Sequence, residues 1–327
     1  MNGSAAKERI LHFKPSTCSP ARLALHRLSR EEKNDRETAI MAAEIPPVHF
    51  FDVRSKLPGI THPIPLFTRR RVTELLIDSL RAWSFNTTKT RLVLNFKGIP
   101  YTQSFVSYPD ITPLLRSLSV TSYPEGPFAY TLPAITHPHS IRTNPSGAMM
   151  DSLPIAVHLD RTFPGPSLFP SGEASYALTL AVGKIVSNAV LRSLVLVIPK
   201  VPEILDRRGR EYFIKTRSAM FGKPLSELRP TDPDSVRAII EGIRRELETL
   251  GQMLRGLPGK SGPFFEGHQV CYADLILMAY LAWTERIDKD LWRQLIVVGR
   301  GELKVLWDAC LPWLNAQGDV KEYTVPT

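Results

Sequence analysis

Every strand-like run in this 327-residue chain lies before about residue 165, and from Ser175 onward apolar residues recur only at helical spacing. This one-way switch constrains the fold more than any single motif does. It predicts a mixed strand–helix domain followed by an all-α domain, joined by the proline- and glycine-rich linker FPGPSLFPSGEAS.

Length and composition are consistent with two domains, each with a real core: 43% of residues are hydrophobic and the mean hydropathy is −0.09. No apolar run is expected to reach the about 20 residues of a membrane span. The longest candidate, Val190 to Val201, is interrupted by Pro199 and followed by Pro202. The net charge of +9 comes from Lys and Arg scattered among acids, with no basic stripe interleaved with aromatics, so no nucleic-acid partner is expected. Cys18, Cys271 and Cys310 are odd in number and far apart, with neither Cys-x-x-Cys nor zinc spacing. A reducing, cytoplasmic setting without a metal is the simplest expectation.

Residues 1–46 read as a disordered leader, with Lys7, Arg9, Lys14, Arg22, Arg27 and Arg30 ahead of the mixed-charge run REEKNDRE. Met41 opens MAAEIPPVHFFDV like a natural protein start, so an over-extended gene model is also open. Val48 to Val53 is the first strand of a domain at 47–165. An insertion at 60–81, carrying Arg69-Arg70-Arg71, then parts this strand from its helix, where compact domains use about 2–6 residues. A lid is one reading of this segment. A retained intron is preferred, because the Gly59 codon can hold a GT and the Arg81–Ala82 junction an AG.

The stretch WSFNTTKTRLVLNFKGIPY (Trp83 to Tyr101) combines polar N-cap candidates (Ser84, Asn86, Thr87), apolar residues at helical spacing, and Gly98 with Pro100 as a stop. A hydroxyl at a helix N-terminus suits an anion or a thiolate, and is equally the mark of an ordinary capped helix. Tyr101 to Ser107 is expected to be a strand, Pro109 to Leu118 a helix, and Phe128 to Ile135 (FAYTLPAI) a strand. Pro133 makes that strand either an edge or the site of a cis Leu132–Pro133 bond, which would turn the Leu132 backbone towards an extended peptide. His137 and His139 read as exposed loop residues, and His158 as packing. Asp151 and Ser152 open a further helix. They serve either as caps or as holders of an ammonium and a carboxylate. From 170 to 327 the chain reads as helices only.

Taken together, these residues resemble the glutathione transferase superfamily, in particular the fungal etherase-related (β-etherase-like) members. The resemblance rests on VHFFDVRSKLPG, WSFNTTKTRLVLNFKGIPYTQSFVSYPDI, FAYTLPAI, MDSLPIAVHLDRTFP and FFEGHQVCYADLILMAYLAW. It implies an N-terminal thioredoxin-like domain (α/β) followed by an all-helical bundle. Two positions depart from the family pattern: Ser84-Phe85-Asn86 stands where Ser-Pro-Asn is usual, and Cys271 stands where a Ser or Thr usually opens the capping box of the bundle helix. A cysteine cap is expected to weaken that helix start by up to ~1 kcal/mol.

The resemblance also implies glutathione as co-substrate. Ser84 would activate the thiol, helped by Asn86; Leu132 would pair its backbone with the cysteinyl part, in a geometry set by Pro133. Asp151 and Ser152 would hold the γ-glutamyl end, and Lys89 a carboxylate. A serine cannot form a mixed disulfide, so conjugation or glutathione-dependent ether cleavage is expected on a small hydrophobic or aromatic electrophile. That electrophile would lie near Tyr176, Phe213 and Met220. The family often pairs subunits, so a homodimer is implied. Two other readings stay open: a non-catalytic carrier of glutathione and aromatic ligands, and a product of intron retention whose fold is damaged.

Overall fold

The computed structural model describes residues 47–56 and 82–325, so the leader and the insertion at 60–81 lie outside the described residues. The N-terminal domain is built on a five-stranded sheet. Its strands are β1 (Val48–Val53), β2 (Tyr101–Val106), β3 (Ala134–Thr136), β4 (Ala148–Met150) and β5 (Asp319–Val320), in the order β4-β3-β1-β2-β5. β1 and β2 run parallel from Val48↔Tyr101 to Val53↔Val106, while β3 is antiparallel to both β1 and β4. A parallel pair needs a crossover, and α1 (Phe85–Phe96) supplies it.

Helix α1 ends as its sequence predicts. Gly98 has φ 64°, its N–H donates to the Asn95 carbonyl, and the Ile99 N–H reaches back to the Leu94 carbonyl at 2.9 Å, a Schellman closure. In mid-helix, Arg91 is almost fully buried and pairs with buried Asp52 of β1. It also donates to Gln103 of β2 at 2.9 Å and to Gln317 in the C-terminal tail. One guanidinium thus ties helix, sheet and tail together.

Three local expectations change. The strand expected over Phe128 to Ile135 shrinks to Ala134–Thr136, because the chain before it turns at a cis Leu132–Pro133 bond. The turn-rich segment before Asp151 contains strand β4. The first turn of the helix expected from Pro109 is a 3-10 turn at Tyr108–Asp110, leading into α2 (Ile111–Ser117).

The second domain is helical: α4 (Glu173–Val197), α5 (Arg207–Phe221), α6 (Pro233–Arg255), α7 (Tyr272–Ile287), α8 (Lys289–Leu295) and α9 (Glu302–Asn315), with α3 (Ser152–Thr162) closing the first domain. Strand β5 follows the last helix, pairs parallel with Thr102 and Gln103 of β2 and returns the tail to the first domain. Helix α4 also outruns its sequence expectation. With the 3-10 turn after it, it runs continuously from Glu173 to Glu203, long and apolar enough to cross a membrane, although a third of its most apolar window is buried against the fold. It packs on α6 and α7, as a bundle helix does.

Helix α7 is buried along nearly its whole length and carries the capping box. Asp274 accepts the Cys271 and Phe265 N–H groups at 2.8 Å each, and the Cys271 thiol donates to the same carboxylate at 3.2 Å. The sulfur also accepts the Asp274 backbone N–H, and that bond closes the box. Burial pushes the Asp274 carboxyl up to about 7, against the pull of those N–H groups.

Candidate functional site

Ser84 sits at the N-cap of α1 with extended backbone (φ −75°, ψ 131°), and its side chain makes no capping bond. The Thr87 hydroxyl donates to the Ser84 carbonyl at 3.2 Å instead. The half-buried Ser84 hydroxyl is left to a cavity of about 350 Å³. Asn86 and Leu132 share its wall with Ser84, and across from them stand Tyr108, Phe128, Tyr212 and Arg217. Phe85, where the resemblance implies a proline, is not part of that wall. Its ring packs into the helical domain, 6.5 Å from Tyr280 and 6.3 Å from Trp283.

Lys89, Asp151 and Ser152 line a second cavity of about 260 Å³, backed by Tyr272 and Ile276 of α7. Pro133 links a residue of each cavity: it follows the cis bond from Leu132, and its carbonyl accepts the Asp151 N–H at 3.1 Å. Asp151 holds φ 83°, a left-handed conformation that a non-glycine residue rarely adopts, and its side chain makes no cap to α3. Burial and the neighbouring Asp151 raise the pKa of Tyr123. Tyr272 donates its hydroxyl to the Ser152 carbonyl at 3.0 Å, so the core helix of the second domain fixes the start of α3.

Burial lowers the pKa of Lys89 to about 8, with Asp151 opposing the shift, and its Nζ lies 4.2 Å above the Phe85 ring. Burial also lifts Tyr108 to about 12, with the nearby Arg217 holding it down.

Six of the seven expected site residues therefore line one of two cavities, Ser84, Asn86 and Leu132 the larger and Lys89, Asp151 and Ser152 the smaller, while Pro133 lines neither and links to both through Leu132 and Asp151. The residues expected to surround the electrophile line neither. Phe213 is buried in the core against Tyr108 at 5.2 Å, Met220 is 47% exposed, and Tyr176 lines a separate open hollow with Leu153, Val157 and His158. Their position in the chain alone had offered them; the path of α5 turns Tyr212 and Arg217 inward instead. Tyr108, Phe128, Tyr212, Arg217 and Tyr123 were missed, because nothing in sequence brings α5 to the loops of the first domain. The tyrosine of Tyr-Pro-Asp-Ile was the nearest signal. His139 is exposed as expected, but His137 is buried, with Nδ1 2.5 Å from the Ser140 hydroxyl, which also meets His158 Nε2 at 2.8 Å. Among the described residues, no cluster of His, Cys, Asp and Glu is placed to hold a metal ion.

A thioredoxin-like sheet with a cis proline beside a helix N-terminus, joined to a helical bundle, defines a class of glutathione-dependent proteins. Residues 81–167 match the family model for the glutathione S-transferase N-terminal domain, and residues 177–313 that for the C-terminal domain. The chain is 53% identical over 282 residues to the glutathione S-transferase-like protein ustS of Aspergillus flavus, covering 86% of this chain and 95% of that one. Among solved structures it is similar to the glutathione S-transferase CsGST63524 of Ceriporiopsis subvermispora in complex with glutathione (26% identity, TM-score 0.67, 82% of this chain and 98% of that one). It is also similar to glutathione transferase GSTFuA3 from Phanerochaete chrysosporium (27%, TM-score 0.65, 83% and 98%). The chain belongs to the glutathione S-transferase family.

Proposed function

We propose that the protein is a serine-type glutathione transferase in which the Ser84 hydroxyl donates a hydrogen bond to the sulfur of bound glutathione. The observation that carries this reading is Ser84 at a helix N-cap, its hydroxyl unspent on capping and opening on a cavity. The co-substrate follows from the family, one neighbour of which is solved with glutathione bound. A free thiol has a pKa near ~8.5, and a hydrogen bond to the anion at a helix N-terminus moves the equilibrium towards thiolate.

The tripeptide would run between the two cavities. Its cysteinyl part would pair with the Leu132 backbone in the geometry set by Pro133, and Asn86 would support the sulfur. Its γ-glutamyl ammonium would meet Asp151, with the adjoining carboxylate at Ser152 and Lys89. The thiol proton leaves to solvent. The thiolate then attacks an electrophilic carbon in the aromatic-walled cavity, a C–S bond forms, and the leaving group departs with the electron pair. When the leaving group is an aryloxide, this is ether cleavage, and the aryloxide takes its proton from water. A cytoplasmic location and a paired subunit go with this reading.

An ultraviolet thiolate titration of bound glutathione tests it. The bound-thiol pKa should lie about one to two units below the free value, as a hydrogen bond to a charged group implies, and should return in Ser84→Ala. Tight binding with no shift in the wild type would make the protein a carrier.

A further inference from the structure

Arg217 is a half-buried cation in the wall of the Ser84 cavity, and among the described residues no carboxylate pairs with it. Its neighbour on the same helix, Arg208, shows the ordinary arrangement, a fork onto Asp110 at 2.7 and 2.8 Å. Arg217 makes one bond to the Thr216 hydroxyl at 3.0 Å and otherwise lies on aromatic faces: 4.3 Å from the Phe128 centroid, 4.6 Å from Phe213 and 5.3 Å from Tyr108. These rings hold the guanidinium in place but do not neutralise it. Tyr108 and Tyr212 stack nearly parallel at 11°, adding flat apolar wall beside it. A guanidinium partly withdrawn from water and lacking a counter-ion gains from a ligand that completes it, and its planar fork matches a carboxylate.

We propose that Arg217 determines specificity for the second substrate: a flat aromatic electrophile carrying a carboxylate, seated with the acid on Arg217 and the reacting carbon towards Ser84. This inference rests on the glutathione transferase reading of the cavity.

The test compares 4-chloro-3-nitrobenzoate with its uncharged amide. In both, the thiolate forms a C–S bond to the ring carbon as the C–Cl bond breaks and chloride leaves with the electron pair. Each kcat/KM is divided by the uncatalysed rate with glutathione, in wild type, Arg217→Gln and Arg217→Lys, and the glutathione Kd is measured in each. The wild type should favour the acid by about tenfold, Arg217→Gln should lose that preference while losing less on the amide, and Arg217→Lys should recover part of it. Equal rates in the wild type, or a preference surviving in Arg217→Gln, would overturn the inference. So would a parallel loss of glutathione affinity, which would put the guanidinium on the tripeptide's own carboxylate. If neither substrate turns over, the Kd values of the corresponding glutathione conjugates, acid against amide, decide the inference on the same criterion. Conjugate binding that shows the acid preference without turnover would sink only the catalytic reading, and a protein that binds neither glutathione nor conjugate overturns both.

Discussion

Ser84 and Lys89 belong to the same end of one helix and face different cavities, Ser84 the larger and Lys89 the smaller. Leu132 lines the larger cavity, and across the cis bond the Pro133 carbonyl accepts the N–H of Asp151, which lines the smaller. A ligand that uses both ends must be extended and must carry its reactive group and its charged group apart, as a tripeptide with a central thiol does.

Lys89 makes the smaller cavity sensitive to pH. Burial sets its folded-state pKa at about 8, below the ordinary value of 10.5, so the charged form opposes folding and that cost is removed as the pH rises from about 8 to 10.5. A bound carboxylate has the opposite preference. The affinity for S-methylglutathione, which has no thiol to titrate, should fall as the pH rises through about 8 and should lose this dependence in Lys89→Met, as titration calorimetry would show.

Asp151 combines backbone strain with its proposed contact to the γ-glutamyl ammonium. Replacing it with glycine relieves the φ of 83° and should raise unfolding stability by about 1 kcal/mol, while glutathione affinity falls about tenfold or more. Thermal denaturation and calorimetry on the same sample separate the two effects; a less stable Asp151→Gly protein would refute the strain argument.

Arg91→Met should be among the most damaging single changes, costing about 3–5 kcal/mol, because it leaves the buried Asp52 carboxylate unpaired. Denaturant unfolding of Arg91→Met beside the double variant Arg91→Met/Asp52→Leu checks the cause: the double variant should regain most of the loss.

Gly147 precedes β4 with φ 57°, and a Cβ there would come within 2.4 Å of the Pro138 Cα. The obstacle is backbone and cannot swing aside. Gly147→Ala should therefore cost about 2 kcal/mol or more, read as a lower midpoint of unfolding.

The start and stop of α1 and the order of a mixed and then a helical domain were legible because local chemistry sets them. Gly98 can take the left-handed turn, Ser84 suits an N-cap, and the change from mixed to helical periodicity near residue 170 needs no long-range information. That Ser84, Asn86 and Leu132 would share one wall, and Lys89, Asp151 and Ser152 another, has a related origin: each sits in a short motif whose backbone shape its own residues largely dictate. Tertiary structure decided the rest. Cys271 looked like a poor cap until Asp274 and the buried surroundings gave its thiol a partner. β5 is a strand only because Gln103 and Thr102 offer it an edge. The opposite wall of the larger cavity, Tyr108, Phe128, Tyr212 and Arg217, comes from segments far apart in the chain. Periodicity tells which face of a helix is apolar but not which neighbour it meets. Side chains that act across a domain junction are therefore fixed by packing between elements, a long-range property that no local pattern of residues encodes.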